Sequence, residues 1–216
     1  MGRLVFIVEG DCELRFVERK IIPYLYAVVQ EGHEVHICAQ KITTNRRLNR
    51  SGGNVGFAYL KNEVGRVAKQ GEPWVTTFID FFRLPPDYPG YSLDSSKIDQ
   101  VEVGVKAEVK YERFIPYIQR HEFEALLFAA TDGFDSFLPK SEKMDIESIS
   151  SRYTNVEDIN GGVDSAPSKR LENIFNYDKV IHSELVWRDV PLEKIMDRAP
   201  RFKRWIDELV ALVSSL

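Results

Sequence analysis

The chain has 216 residues, a formal net charge of −4 and a hydrophobic fraction of 44 %, which excludes disorder over the whole length and argues against a general nucleic-acid coat. No apolar run approaches the roughly 20 residues of a membrane helix, and LVFIV at 4–8 is too short for a signal-peptide core. Two cysteines cannot form a multi-bridge framework, so one domain, alone or with an appendage, is expected in a reducing cytoplasm with no membrane contact.

RLVFIV at 3–8 is apolar on both faces, as a buried parallel strand would be, and it stops at Glu9-Gly10. A helix is expected over about 12–31, with Asp11 as its N-cap and Leu14, Val17, Ile21, Ile22 and Leu25 at helical spacing. EVHICAQ at 34–40 alternates and reads as a second strand. The polar, basic stretch 41–55 reads as a long loop and 56–70 as a second helix. WVTTFIDFF at 74–82 is a third strand by composition. The three prolines of 83–92 mark a loop, and a helix is expected near 94–108. RFIPYIQ at 113–119 reads as a fourth strand, with Pro116 against it, and 122–130 reads as helical. Beyond 131 only helices and loops are expected. One helix enters at Ser165 and Pro167. The last opens at Pro200 and carries Phe202, Trp205, Ile206, Leu209 and Val213 on one stripe.

Strands alternating with helices predict an α/β fold: an open, mainly parallel sheet over 1–130 with helices on both faces and right-handed crossovers. Residues 131–216 are expected to form a helical C-terminal extension packed on that core.

The acids fall where such a sheet places ligands, just beyond the carboxyl ends of its strands. Glu9 ends the first strand, Asp80 lies near the end of the third, and His121, Glu122 and Glu124 follow the fourth. Glu13 stands one helical turn after Glu9. Two carboxylates about 5 Å apart repel by roughly 3 kcal/mol at an effective dielectric near 20, so a gathered set needs protons, Lys or Arg, or a divalent cation. All-oxygen donors favour Mg²⁺, Mn²⁺ or Ca²⁺ over zinc. The metal candidates are therefore Glu9, Glu13, Asp80, Glu122 and Glu124. At 100° per residue, Phe123, Leu126, Leu127 and Ala130 share the core face. Glu122 then belongs at the strand–helix junction, with Glu124 close behind. His121 could orient a carboxylate or shuttle a proton. The alternative for each acid is a helix cap or an ion pair.

Ser168, Lys169 and Arg170 sit at a helix start, where free N–H groups bind anions. They are phosphate candidates, or part of an ordinary capped surface helix. Between 41 and 70, seven cations stand against one acid, a local balance of +6 that leaves −10 for the rest. Arg46, Arg47 and Arg50 are the nucleic-acid candidates there, against a solvated loop and helix face. The glycines of 50–56 lack a P-loop ending. Cys12 is expected to be a small buried residue, and His33, His36 and Cys38 to pack in the core rather than bind zinc.

Val8-Glu9-Gly10-Asp11-Cys12-Glu13 resembles the VEGxxE signature of Toprim domains, closest to the form in nucleases of the OLD (overcoming lysogenization defect) family. HEFEALLF at 121–128, FIDFFRLP at 78–85, the APSKR run and the terminal P-x-F-x-x-W resemble the bacterial domain-of-unknown-function 4276 family. The Toprim resemblance implies a Mg²⁺-dependent phosphoryl-transfer site. In it Glu9 is the acid/base or metal-binding glutamate, Glu13 a further ligand and Asp80 the first aspartate of a DxD motif. Asp80-Phe81-Phe82 lacks the second aspartate. OLD-type enzymes also use a downstream lysine, and Lys169 is the match made here.

The function expected is a metal-dependent nuclease or nuclease-like phosphodiesterase, acting on DNA before RNA. By resemblance it would work with an ATPase partner in defence against foreign DNA, and a homodimer is one possible state. The alternative is a non-catalytic subunit of an ATPase complex on a degenerate Toprim scaffold. A small-nucleotide phosphatase or ligase would use similar ligands.

Overall fold

The computed structural model describes residues 2–29, 34–45, 50–51, 55–160 and 162–216. Strand β1 (Gly2–Val8) leads into one long helix, built from α1 (Asp11–Phe16), a π turn over Val17–Ile21 and α2 (Ile22–Val28). There follow β2 (Val35–Lys41), a small pair β3 (Thr43–Asn45) and β4 (Arg50–Ser51), α3 (Phe57–Ala68), β5 (Trp74–Asp80) and α4 (Ile98–Val109). Two short strands, β6 (Phe114–Ile115) and β7 (Ile118–Gln119), precede a 3₁₀ segment over Phe123–Ala129. The remainder carries α5 (Lys140–Ser150), α6 (Pro167–Ile174), α7 (Lys179–Arg188), α8 (Leu192–Arg198) and α9 (Pro200–Val213).

The main sheet runs β2-β1-β5-β6, with β7 continuing beside β5, and every pairing in it is parallel. Helices cover both faces, because successive side chains of a strand alternate between them. Leu4, Phe6 and Val8 of β1 join a core with α1, α2 and α9. Val5 and Ile7 join a second core with Leu60, Val64 and Val67 of α3 and Ile98, Val101 and Val105 of α4. The expected α/β sheet is therefore present, with a helical C-terminal stretch. No helix among the described residues is long and apolar enough to cross a membrane.

Local chemistry explains the departures from expectation. Asp11 does not cap its helix: Gly10 holds the N-cap position without a side-chain bond, and Asp11 pairs with Lys41 at 2.7 Å. The first helix is wound wide at Val17–Ile21, with Ile22 N–H donating to the Val17 carbonyl. Pro23, which has no N–H and whose ring crowds the carbonyl four residues back, follows at once, and a π turn accommodates it. Within the expected loop 41–55, β3 and β4 pair antiparallel. Pro116 splits the fourth strand in two, and both pieces still pair with β5. His36 is exposed on edge strand β2 rather than packed in the core, and His33 lies outside the described residues.

The 122–130 helix is a 3₁₀ segment, and every residue from Phe123 to Ala129 is buried. A 100° wheel presumes a solvent face, and this segment has none. Glu122 precedes its first turn in extended backbone, as the junction reading expected.

Trp205 of α9 fixes the C-terminal helix to the sheet. Its ring stacks on Tyr117 at 4.2 Å, and its indole N–H donates to the Thr76 hydroxyl at 2.9 Å. Thr76 in turn donates to the Ile115 carbonyl, so this polar residue inside an apolar strand is satisfied. Trp205→Ala is expected to cost about 3–5 kcal/mol, chiefly from the cavity it leaves. A urea midpoint unchanged from the wild type would refute this anchor.

Candidate active site

The carboxyl edge of β1 and β5 opens into a cavity of about 540 Å³. Glu9, Asp80, Glu122, Glu124, Lys169 and Lys179 line it. Three separate segments thus deliver acids to one place.

Each acid has a backbone reason for its position. Glu9 follows the last residue of β1, and Gly10, in ordinary extended backbone, is the N-cap of α1. A Cβ at position 10 would stand 2.7 Å from the Glu13 carboxylate, so a side chain there would push that carboxylate from its present place. Asp80 ends β5, and its Oδ1 accepts from Phe123 N–H at 2.9 Å. That bond ties the start of the 3₁₀ segment to the sheet edge and carries Glu124 inward, where it is fully buried.

Lys179, the first residue of α7, sits among these acids. Its Nζ lies 3.3 Å from Glu124, 3.5 Å from Glu13 and 3.8 Å from Asp80. The helix that bears it is tied down at several points. Asp178 caps it by accepting from Val180 and Ile181 N–H, and the Cys12 thiol donates to the Lys179 carbonyl at 3.1 Å. Gly133 meets the Val186 carbonyl so closely that a Cβ would fall 1.8 Å from it.

One ammonium among four carboxyl groups leaves the cluster short of positive charge. Burial raises the Glu9 carboxyl, with Glu13 adding to it and the Asp80 N–H opposing. Asp80 is pushed well above the usual carboxylate range by burial, against Lys179 and with Glu13, Glu124 and Glu9. Burial lifts Glu124 to about 7, against the pull of Lys179. Lys179 is held above its ordinary value, because the carboxylates more than reverse the effect of its burial. Burial also drives the Cys12 thiol up to about 12, so Cys12 is the inert buried residue expected.

The other candidates are arranged differently. Glu122 lines the cavity, but its oxygens accept from Ser168 N–H at 2.9 Å and Ser168 Oγ at 3.1 Å. The anion at the start of α6 is therefore the chain's own Glu122, not an open phosphate place. Lys169 reaches the cavity wall half-exposed and pairs with Glu172, while Arg170 donates to the Ser165 carbonyl at 2.8 Å. His121 is not on the carboxylate cavity; it lines a smaller neighbour. Burial, then Arg120, pulls its imidazole down to about 4, so it is neutral near pH 7. Arg46 and Arg47 lie outside the described residues, as does the side chain of Arg50. Of the other cations in 41–70, Lys41, Lys61 and Arg66 each face an acid, Asp11, Glu108 and Glu63 respectively.

Sequence reasoning missed Lys179, and with it Tyr177, whose hydroxyl approaches Glu124 at 3.5 Å. The available signal was Asp178-Lys179, a helix cap followed by a cation in the first turn, where a lysine is electrostatically out of place.

Among the described residues, no three carboxylate, histidine or cysteine side chains stand close enough together to hold an ion as they are arranged. The donor chemistry nonetheless suits a hard divalent cation. All the acids are oxygen donors, positive charge is deficient, and Glu124 Oε2 is buried without a hydrogen-bond partner.

The fold and site define an α/β protein with an acid–lysine cavity at the carboxyl edge of its sheet. The chain belongs to a family described as Domain of unknown function (DUF4276), whose pattern matches residues 8–210. Comparison with curated proteins and with solved structures found no match.

Proposed function

We propose that this chain is a Toprim-like, metal-assisted phosphodiesterase acting on nucleic acid, DNA before RNA. The observation that carries the reading is the meeting of Glu9, Asp80 and Glu124 with Lys179 around one cavity at the strand ends. Glu9, Asp80 and Glu124 would hold Mg²⁺ or Mn²⁺, with Glu13 beside them. Glu122 is committed to Ser168, which favours Glu124 as the ligand. When bound, the ion would lower the pKa of a water and stabilise charge on the phosphate.

The chain's own residues do the rest. Lys179 offsets part of the carboxylate charge and offers a cation to an approaching phosphate. With no ion bound, burial holds the Glu124 carboxyl near 7, so Oε2 takes up a proton close to neutral pH; binding an ion there would release it. Asp80 keeps Glu124 in position through the Phe123 N–H.

Cleavage of a labelled single strand in Mg²⁺ or Mn²⁺ tests this. Asp80→Asn retains an acceptor for Phe123 but loses the charge. It is expected to reduce cleavage by at least about 10²-fold with an unchanged circular dichroism spectrum. Full activity in that variant would sink the mechanism.

A second reading has its own support. Lys179 already touches three of the acids, so the cluster could be a self-neutralised structural knot in a non-catalytic subunit of an ATPase complex. Absence of metal binding by calorimetry at millimolar ion would favour that reading.

A further inference from the structure

A second cavity, of about 370 Å³, adjoins the first. The two share Phe82, Arg83, Leu84 and Val163 as common walls. The volume falls in the range of small-ligand pockets. Its chemistry contrasts with that of its neighbour, since no carboxylate lines it.

Part of its lining is aromatic. Phe82 and Tyr91 contribute rings, and the Arg83 guanidinium stands over the Phe82 ring at 5.2 Å. Stacked guanidinium and aromatic planes are what a heteroaromatic ring packs against. His121, on the same wall, offers one donor and one acceptor nitrogen in its neutral form. The rim carries Leu93, 88 % exposed, and Val163, 63 % exposed, two apolar side chains with no core to enter.

The backbone here is also unusual. Arg83 and His121 both adopt left-handed conformations, with φ of 62° and 63°, which side-chain-bearing residues seldom do. They are coupled, because Phe82 N–H donates to the His121 carbonyl at 2.7 Å. Both follow strand ends, and both line this pocket.

We infer that this pocket receives an unstacked nucleobase whose attached phosphate lies in the neighbouring acid–lysine cavity. The phosphate half of that statement rests on the proposed function; the base half stands on the pocket alone. The substrate class is then a single-stranded or otherwise unpaired nucleotide, because a base paired and stacked inside a duplex is not free to enter a pocket.

The test uses the intact chain and calorimetric titration with adenosine and with ribose, neither of which carries phosphate. Adenosine is expected to bind at least about tenfold tighter than ribose, the range base–aromatic stacking supplies. Phe82→Ala is expected to erase that ratio. Leu93→Ala, at an exposed position that leaves the fold alone, is expected to weaken adenosine severalfold. Equal binding of adenosine and ribose by the wild type overturns the inference, as does an unchanged ratio in both variants. Adenosine binding without any nuclease activity keeps the base pocket and sinks the cleavage reading instead. Adding adenosine 5′-monophosphate and a single-stranded oligonucleotide separates the sources. Tighter binding of the oligonucleotide points to a strand, and tighter binding of the monophosphate to a free nucleotide; either supports a base site.

Discussion

Lys179→Met is expected to destabilise the chain by about 2–3 kcal/mol near pH 7. Removing one partner of a buried ion pair commonly costs about 3–5 kcal/mol. The value here is reduced because the lysine side chain is 45 % exposed and solvent screens part of its charge. The loss arises because Glu13, Asp80 and Glu124 would be left facing one another without their shared cation. It should shrink toward pH 5, where the raised carboxyls of Asp80 and Glu124 take up protons instead. It should also shrink when Mg²⁺ is added, if the acids accept a divalent ion in place of the ammonium. Denaturant unfolding at two pH values, with and without millimolar Mg²⁺, measures all three effects. A penalty within about 0.5 kcal/mol at every pH would mean that the lysine is a bystander.

The second large effect concerns Glu124. Its carboxyl is raised from 4.5 to about 7 by burial. The folded chain therefore binds a proton that the unfolded chain has released. Its contribution to stability is complete below about pH 4.5 and is lost as pH climbs through 7. The size is roughly 3 kcal/mol, given about 1.36 kcal/mol for each pKa unit. Many surface carboxylates titrate with the opposite sign at lower pH, so the informative quantity is a difference between two proteins. Wild type minus Glu124→Gln should decline between pH 5 and 8 in metal-free buffer. Saturating Mg²⁺ should reverse the slope, because an ion binds the ionised form. A flat difference in both buffers would place the Glu124 carboxyl at an ordinary value and remove its suitability for proton transfer at neutral pH.

The sheet was legible because β1 and β5 are long runs of apolar and β-branched residues, a pattern a two-sided parallel strand imposes. The strand-end acids were legible for the same reason: once the strands are found, Glu9 and Asp80 can only lie at their edge. The winding of segments was not legible. A π turn beside Pro23 and a 3₁₀ turn at Phe123–Ala129 both depend on what packs around them, and local spacing does not report that. Lys179 was not singled out beside Lys169, because a helix start looks alike at Pro167 and at Lys179. Only the fold decides that the first meets Glu122 through its N–H groups while the second turns its own side chain into the acids. The partners of the basic stretch were hidden for a similar reason. Opposite charges for Lys41, Lys61 and Arg66 come from α1, α4 and their own helix, and a count along the chain does not see them.

The order of these residues along the chain has a consequence for synthesis. A ribosome delivers Glu9, Glu13, Asp80 and Glu124 long before it delivers Lys179, and Trp205 later still. Until then the nascent sheet holds acids without their ammonium, and the Tyr117 side of the sheet is bare of α9. Domains usually fold as units while the chain emerges, but here the first 130 residues lack both the counter-charge and the cover their own sheet needs. Nascent chains arrested before position 179 should remain protease-sensitive throughout, and resistance should arrive in one step once α7 and α9 clear the exit tunnel.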